Sequence, residues 1–269
     1  MTHPIPFVPE GAELTGEVLA EQERRFMELL DELTAAAQKH GAVMRLIGSL
    51  AFRIKCPDYR RVFYANRRYL TDVDFVAYSK QVDRVQDAFW ELGWEENQTV
   101  LRLFGDKRRI FYHPTEPVHS DVFLDKLRFC HEIDFRGRLE LDSPTITPAD
   151  LLLEKLQIVE INEKDLVDVL VLLSQHEVSD GAGAVDGSRL AKLCAGDWGW
   201  WRTATMNLEK LKNFSEEYLE PAERPRVRQR LDRLRELIDE RPKGLGWRLR
   251  SLIGDRLRWY DEVEEVERG

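Results

Sequence analysis

Thr71-Asp72-Val73-Asp74-Phe75-Val76 is the stretch on which the reading of the fold turns. In an extended strand successive side chains point to opposite faces, so Asp72 and Asp74 share one face while Val73 and Phe75 share the other. The apolar face suits a core, and the acidic face suits a charged ligand. Carboxylates two positions apart on a strand stand roughly 6.6 Å from each other. At an effective dielectric near 20 that spacing costs about 2.5 kcal/mol in repulsion. A divalent cation between them reverses the cost, and Mg²⁺ favours one or two carboxylates completed by phosphate oxygens over a full protein cage. Because an Asp-x-Asp pair also occurs on plain solvated edge strands, the flanking sequence has to decide.

Downstream, Val118-His119-Ser120-Asp121-Val122-Phe123-Leu124 offers a third carboxylate in a similarly apolar run. Adjacent strands lie only about 4.8 Å apart, so Asp72, Asp74 and Asp121 are expected to share a two-metal centre. Asp125 is the competing candidate, past the expected strand end. Upstream, Gly48-Ser49 follows an apolar run at 42–47 and precedes a short helix at 50–55, a place where backbone N–H groups can hold a phosphate. As a lone dipeptide it also reads as an ordinary turn.

Around these motifs the chain reads as helix, strand, turn, strand, helix. Phe26, Leu29, Leu30, Leu33 and Ala37 recur at helical spacing within 19–40, and Gly41 ends that helix. Residues 56–68 read as an irregular, arginine-rich excursion, 70–78 as a strand, and 79–93 as an amphipathic helix closed by Gly93. Further β-type runs fall at 99–104, 109–113 and 118–124, with a small ribbon within 129–141. Thr147-Pro148-Ala149-Asp150 announces a helix, since Thr147 can cap and Pro148 fits the first turn. Helices follow at 151–161 and 164–176, then a small-residue connector at 180–187, and helix almost to the end. The expected class is α/β (α+β): a mixed-sheet core over 1–145 with an N-terminal helix, then a helical domain over 146–269.

The 269 residues are 43% hydrophobic, enough for a sizeable core, and the net charge of -9 excludes a generic nucleic-acid binder drawn by bulk charge. Cys56, Cys130 and Cys194 lack the paired spacing of a zinc or redox motif. No leader-like start and no run of 18 or more apolar residues is present, so the expectation is a cytoplasmic protein with no membrane partner.

With Ile47-Gly48-Ser49, Thr71-Asp72-Val73-Asp74-Phe75 and Asp121 in this order, the chain resembles the nucleotidyltransferase superfamily of DNA polymerase β and the aminoglycoside nucleotidyltransferases. It looks closest to the AbiEii-like, minimal branch, whose helical elements are matched by Leu151-Leu152-Leu153-Glu154-Lys155-Leu156 and Lys164-Asp165-Leu166-Val167-Asp168-Val169-Leu170. The resemblance spans about residues 40 to 175. It implies a nucleotidyltransferase core that moves a nucleoside monophosphate from a nucleoside triphosphate to an acceptor hydroxyl, releasing pyrophosphate. Asp72 and Asp74 would bind Mg²⁺, and Asp121 would complete the metal site or activate the acceptor. Gly48 and Ser49 would contact the triphosphate, and Lys155 would neutralise phosphate charge. The interval from Ser49 to Asp72 is longer than is usual in the family. The acceptor is open: RNA, protein or a small hydroxyl compound.

Other residues carry two readings each. Lys155 pairs either with an anion or with Asp165 and Asp168 on the same helical face. The arginines at 53, 60, 61, 67 and 68, with Lys107, Arg108 and Arg109, either grip a nucleotide or form solvated surface. His113, His119 and His131 have no fixed mutual geometry. Residues 221–260 hold twelve Arg or Lys against six Asp or Glu, followed by five acids in 261–267. With Trp247, Trp259 and Tyr260 between them, those bases suit either RNA contact or the exterior of a bundle whose core holds Leu231, Leu234, Leu237 and Ile238. Trp198-Gly199-Trp200-Trp201 suits a core or a stacking site. The alternatives to an enzyme are a catalytically inactive nucleotide-binding sensor or scaffold, and an RNA-binding module using the C-terminal helices.

Overall fold

Leu19, Phe26, Leu29, Leu30, Leu33 and Ala37 are all buried along one side of α1 (Gly16–Lys39), as their spacing dictates. Thr15 opens this helix by accepting a hydrogen bond from the Val18 amide at 3.3 Å. The computed structural model describes residues 4–262 apart from residue 182, so the acids at 264, 265 and 267 lie outside the described residues. Two compact units divide the chain. One runs to Leu127 and takes in Asp134–Ile146; the other comprises Arg128–Ile133 and the chain from Thr147.

In the first unit α1 is followed by β1 (Met44–Ile47), α2 (Gly48–Lys55), α3 (Arg60–Ala65), β2 (Asp74–Ala77), α4 (Val82–Glu91), β3 (Glu95–Glu96), α5 (Gln98–Phe104), β4 (Arg108–Tyr112) and β5 (His119–Leu124). The sheet is mixed, in the order β1-β2-β5-β4-β3, with β2 and β5 parallel and the other neighbours antiparallel. Phe89 of α4 stacks on Phe111 of β4 with centroids 4.1 Å apart and meets Phe75 of β2 edge-on, filling one face of that sheet. Gly93 follows α4 at φ +78°, the left-handed turn expected of a glycine there.

Three local expectations fail. Residues 99–104 form α5, because the Asn97 side chain accepts from the amides of Thr99 and Val100 at 3.0 and 2.9 Å and caps a helix that β-type residues alone would not start. The excursion at 56–68 is a 3-10 turn, Pro57–Tyr59, running into α3, whose Phe63 is buried. The strand expected at 70–78 is shorter. Leu70 is held instead by buried Gln22 of α1, which accepts from its amide at 2.9 Å and donates to its carbonyl at 3.1 Å.

The chain then forms a two-stranded ribbon, β6 (Lys126–Arg128) and β7 (Glu132–Asp134), whose first strand precedes the 129–141 stretch expected to add one. In the second unit the helices are α6 (Pro148–Leu156), α7 (Glu163–Gln175), α8 (Gly187–Gly196), α9 (Trp198–Tyr218), α10 (Arg224–Glu240) and α11 (Leu245–Ile253). Thr147 caps α6 as expected, accepting from the Asp150 amide at 3.2 Å. Val227, Leu231, Leu234 and Ile238 bury one side of α10, while Arg228, Arg233 and Arg235 pair with Glu216, Glu236 and Asp239 on the exterior. Those bases clothe a bundle. Cys56, Cys130 and Cys194 are buried free thiols, and no helix of the described residues is long and apolar enough to cross a membrane.

Arg53 is fully buried in the first unit. Its guanidinium donates to Glu23 of α1 at 2.9 Å and to the Arg68 carbonyl, and Tyr64 donates to the same Glu23 carboxylate at 2.9 Å. Burial and the Glu23 contact push the Tyr64 hydroxyl up to about 12. This network ties α2 and α3 to α1. Arg53→Ala removes the buried cation from Glu23 and leaves it Tyr64 and the part-exposed Arg60, 3.0 Å away, so equilibrium denaturant unfolding should register a loss near the lower end of about 3–5 kcal/mol. Pairing Arg53→Met with Glu23→Leu should recover most of that loss, because neither charge is then left alone.

Candidate active site

The parallel register of β2 and β5 sets Phe75 beside Val122, and the isolated bridge before it joins Asp72 to His119. Stepping one residue back from Phe75 sets Asp74 beside Asp121, and the Asp121 amide donates to Asp74 Oδ1 at 2.9 Å. Alternation then separates the faces as expected. Val73, Phe75, Ser120 and Val122 are buried on one, while half-buried Asp72 and Asp74 stand on the other with Asp121. Thr71 Oγ1 donates to Asp72 Oδ2 at 2.8 Å, a local contact the motif already contains.

On the other side of β2, β1 runs antiparallel with Ile47 opposite Asp74. Gly48 therefore begins where the acidic strand begins. Its φ of +74° is left-handed, and a Cβ there would meet nothing within 4 Å, so the position requires glycine for its backbone and not for room. Ile47 stands at the N-cap of α2 and offers that helix no side-chain cap. Ser49 Oγ accepts from Arg68 Nη2 at 3.4 Å. The structure thus places Gly48 and Ser49 after the end of β1, Asp74 at the start of β2 and Asp121 beside it within β5, with Asp72 just before β2.

Asp121 itself is only 3% exposed and is gripped by Arg108, whose Nη2 and Nε donate at 2.6 and 3.3 Å. The antiparallel register explains the pairing: Arg108 lies opposite Phe123 and so diagonal to Asp121. Among the described residues no group of three or more His, Cys, Asp or Glu side chains is arranged to hold a metal ion. Of the three expected carboxylates, Asp121 is engaged by the bidentate guanidinium of Arg108. Asp125 serves elsewhere, accepting from the Ser79 amide at 3.1 Å and the Ser79 hydroxyl at 2.6 Å at the turn into α4.

The histidines form no ligand set. His119 lies beside Asp72, and buried His131 shares a 2.8 Å hydrogen bond with Thr203 in the second unit. Burial pushes the His131 imidazole down to about 4, so it is neutral at ordinary pH.

Lys155 follows the second of its two readings, pairing with Asp165 and Asp168. In the second unit its ammonium lies 3.0 Å from Asp165, 3.3 Å from Asp168 and 3.7 Å from Glu154. Burial pulls its pKa down, but the three carboxylates outweigh burial and hold it above the ordinary lysine value. Its charge is matched within the helical unit. Of the proposed nucleotide-gripping cations, Arg53 is buried on Glu23 and Arg109 on Glu96, the part-exposed Arg108 pairs with Asp121, and Arg61 and Arg67 are exposed.

Sequence reasoning missed Arg108 as the partner of Asp121. The signal was the Pro114-Thr115-Glu116-Pro117 turn between two β-type runs, which fixes an antiparallel register in which 108 and 121 become diagonal neighbours.

Compared with known proteins, the chain matches no family model, no curated protein and no solved structure.

The Lys155 cluster has a measurable consequence. Lys155→Met leaves three neighbouring buried carboxylates without their cation, and urea unfolding should show a loss of about 3–5 kcal/mol.

Proposed function

We propose that the chain is a Mg²⁺-dependent nucleotidyltransferase that moves a nucleoside monophosphate from a nucleoside triphosphate to an acceptor hydroxyl. One observation carries this reading: two partly buried carboxylates, Asp72 just before β2 and Asp74 at its start, lie two residues apart directly beside the left-handed Gly48 that opens α2. Hard carboxylate oxygens in a pair, open on one side to phosphate, fit Mg²⁺. Asp72 and Asp74 would hold the ion, which when bound supplies charge neutralisation for the attacking and leaving oxygens.

The chain's own groups account for the rest of the reaction. The backbone amides at Gly48 and Ser49 and the Ser49 hydroxyl bind triphosphate oxygens. A bond forms between the acceptor oxygen and the α-phosphorus, the bond to the bridging oxygen breaks, pyrophosphate departs, and the acceptor proton leaves. Asp121 either completes the metal site or receives that proton, and in both roles Arg108 must share or release it. The acceptor belongs to one of three classes: RNA, protein or a small hydroxyl compound.

The grip of Arg108 on Asp121 favours a second reading, a nucleotide-binding sensor or scaffold without turnover. Pyrophosphate release, measured with each nucleoside triphosphate and Mg²⁺ against the three acceptor classes, separates them. A transferase releases pyrophosphate, whereas a sensor binds nucleotide without doing so, and a chain that binds no nucleotide fits neither.

For the transferase, Asp72→Asn and Asp74→Asn should each abolish pyrophosphate release with an unchanged circular dichroism spectrum, since removing one of two like charges does not threaten the fold. Asp121→Ala should depress kcat far more than it raises KM. Full turnover by the Asp72 and Asp74 variants sinks the metal-site reading.

A further inference from the structure

The second unit contains an open pocket of about 970 Å³ whose lining includes Trp198, Trp247, Trp259, Tyr260, Lys192 and Arg250. The aromatic rings are set across one another. Trp198 and Trp259 meet at 86° with centroids 6.2 Å apart, and Trp259 and Tyr260 meet at 69° and 5.3 Å. In a perpendicular pair one ring lends only its edge, so its own faces stay clear of its partner. Arg250 is fixed over Trp198, 4.4 Å from the ring centroid, because its two terminal nitrogens donate to the carbonyls of Gly254 and Leu257 at 2.8 and 2.6 Å.

Among the tryptophans that line the pocket, Trp198 differs from the others in its hydrogen bonding. Buried indole N–H groups ordinarily find an acceptor. Trp200 donates to the Glu132 carbonyl at 3.2 Å, Trp247 to the Cys194 carbonyl at 2.9 Å and Trp259 to Thr203 Oγ1 at 3.0 Å. Trp198 is only 5% exposed and lines the pocket; its indole N–H donates to no group among the described residues and is not sealed from solvent. An acceptor on a ligand would take the place of solvent there.

The charges around the pocket select among ligands. Arg189 is matched by Asp150, and Arg258 by Glu262. Lys192 and Arg250 have no carboxylate within ion-pair distance among the described residues, while Asp197 and Asp261 contribute two negative charges to the same lining. Asp197 also caps α9, accepting from the Trp200 amide at 3.1 Å. A bare anion meets the two acids, and an ammonium ligand meets the two cations. A neutral planar ring with both donors and acceptors on its edge meets complements of each kind, with indole and guanidinium planes to stack on.

We infer that this pocket binds a nucleobase, presented by a free nucleotide or by a single-stranded nucleic acid. The site is independent of the proposed nucleotidyl transfer, and its test is made without divalent metal so that the strand acids contribute nothing to it.

Isothermal titration of the full chain in excess chelator uses adenosine, adenosine 5′-monophosphate, ribose 5-phosphate and a short single-stranded oligoadenylate. The base-containing probes should bind and ribose 5-phosphate should not. Equal affinity for nucleoside and oligoadenylate identifies a free nucleotide as the occupant, and tighter binding of the oligoadenylate identifies a strand. Trp247→Ala should weaken binding about tenfold or more, the scale of one lost base stack, whereas Trp247→Phe should retain it. Trp198→Phe, which keeps the ring but removes the N–H, should weaken it about fivefold, the scale of one lost hydrogen bond. Circular dichroism checks that each variant is folded. The inference is overturned if no base-containing probe binds, if ribose 5-phosphate binds as tightly as adenosine 5′-monophosphate, or if folded Trp247→Ala and Trp198→Phe bind as wild type does.

Discussion

The parallel pairing of β2 with β5 is the contact on which the first unit and its candidate site both depend. Parallel neighbours cannot be joined by a tight turn, so the chain leaves β2 and returns through α4, β3, α5 and β4 before β5 is laid down. The long return has two effects. It places an antiparallel strand, β4, on the outer side of β5, so β5 is paired along both edges. It also fixes register through burial, because a slip of one residue would push Asp121 among the apolar side chains and turn Val122 outward. Asp74 and Asp121 are neighbours because Phe75 and Val122 are packed in the core. The candidate site is a by-product of apolar packing on the opposite face of the same strands.

Much of this was legible from local pattern. Period-two alternation in 71–76 and 118–124 gives the faces of β2 and β5, helical spacing gives α1, and the Thr147-Pro148 start gives α6. What escaped was set by single side chains bonding to backbone. Asn97 converts a β-type run into α5 with two hydrogen bonds. Gln22, 48 positions away in sequence, takes both backbone groups of Leu70 and so shortens the strand that follows. A propensity differs between helix and strand by about 1 kcal/mol at most, and a capping hydrogen bond contributes about as much. One well-placed amide side chain is thus enough to reverse a short segment, and periodicity does not reveal it.

Charged residues were the least legible class. Arg53 and Arg67 carry the same charge in the same arginine-rich segment, yet one is sealed in the core on Glu23 and the other is exposed. Lys155 likewise has its three carboxylates on α6 and α7. A buried cation requires a partner because desolvation costs several kcal/mol per ion. The partner is chosen by tertiary geometry, on which the charge count of a segment is silent.

Arg108 brings these strands of argument together. Three carboxylates drawn to one strand end repel one another by about 2.5 kcal/mol for each pair roughly 6.6 Å apart. The buried member of the three, Asp121, bears the largest desolvation penalty besides. A guanidinium held diagonally across β4 and β5 answers both, and its two donors fit a carboxylate better than an ammonium would. The same fit sets a threshold for chemistry at this site. An arriving cation gains the attraction of Asp72 and Asp74, but at Asp121 it must compete with a bidentate guanidinium on a buried carboxylate. In the proposed reaction the strength of the Arg108 contact decides whether Asp121 joins Asp72 and Asp74 or leaves the chain a binder of nucleotides.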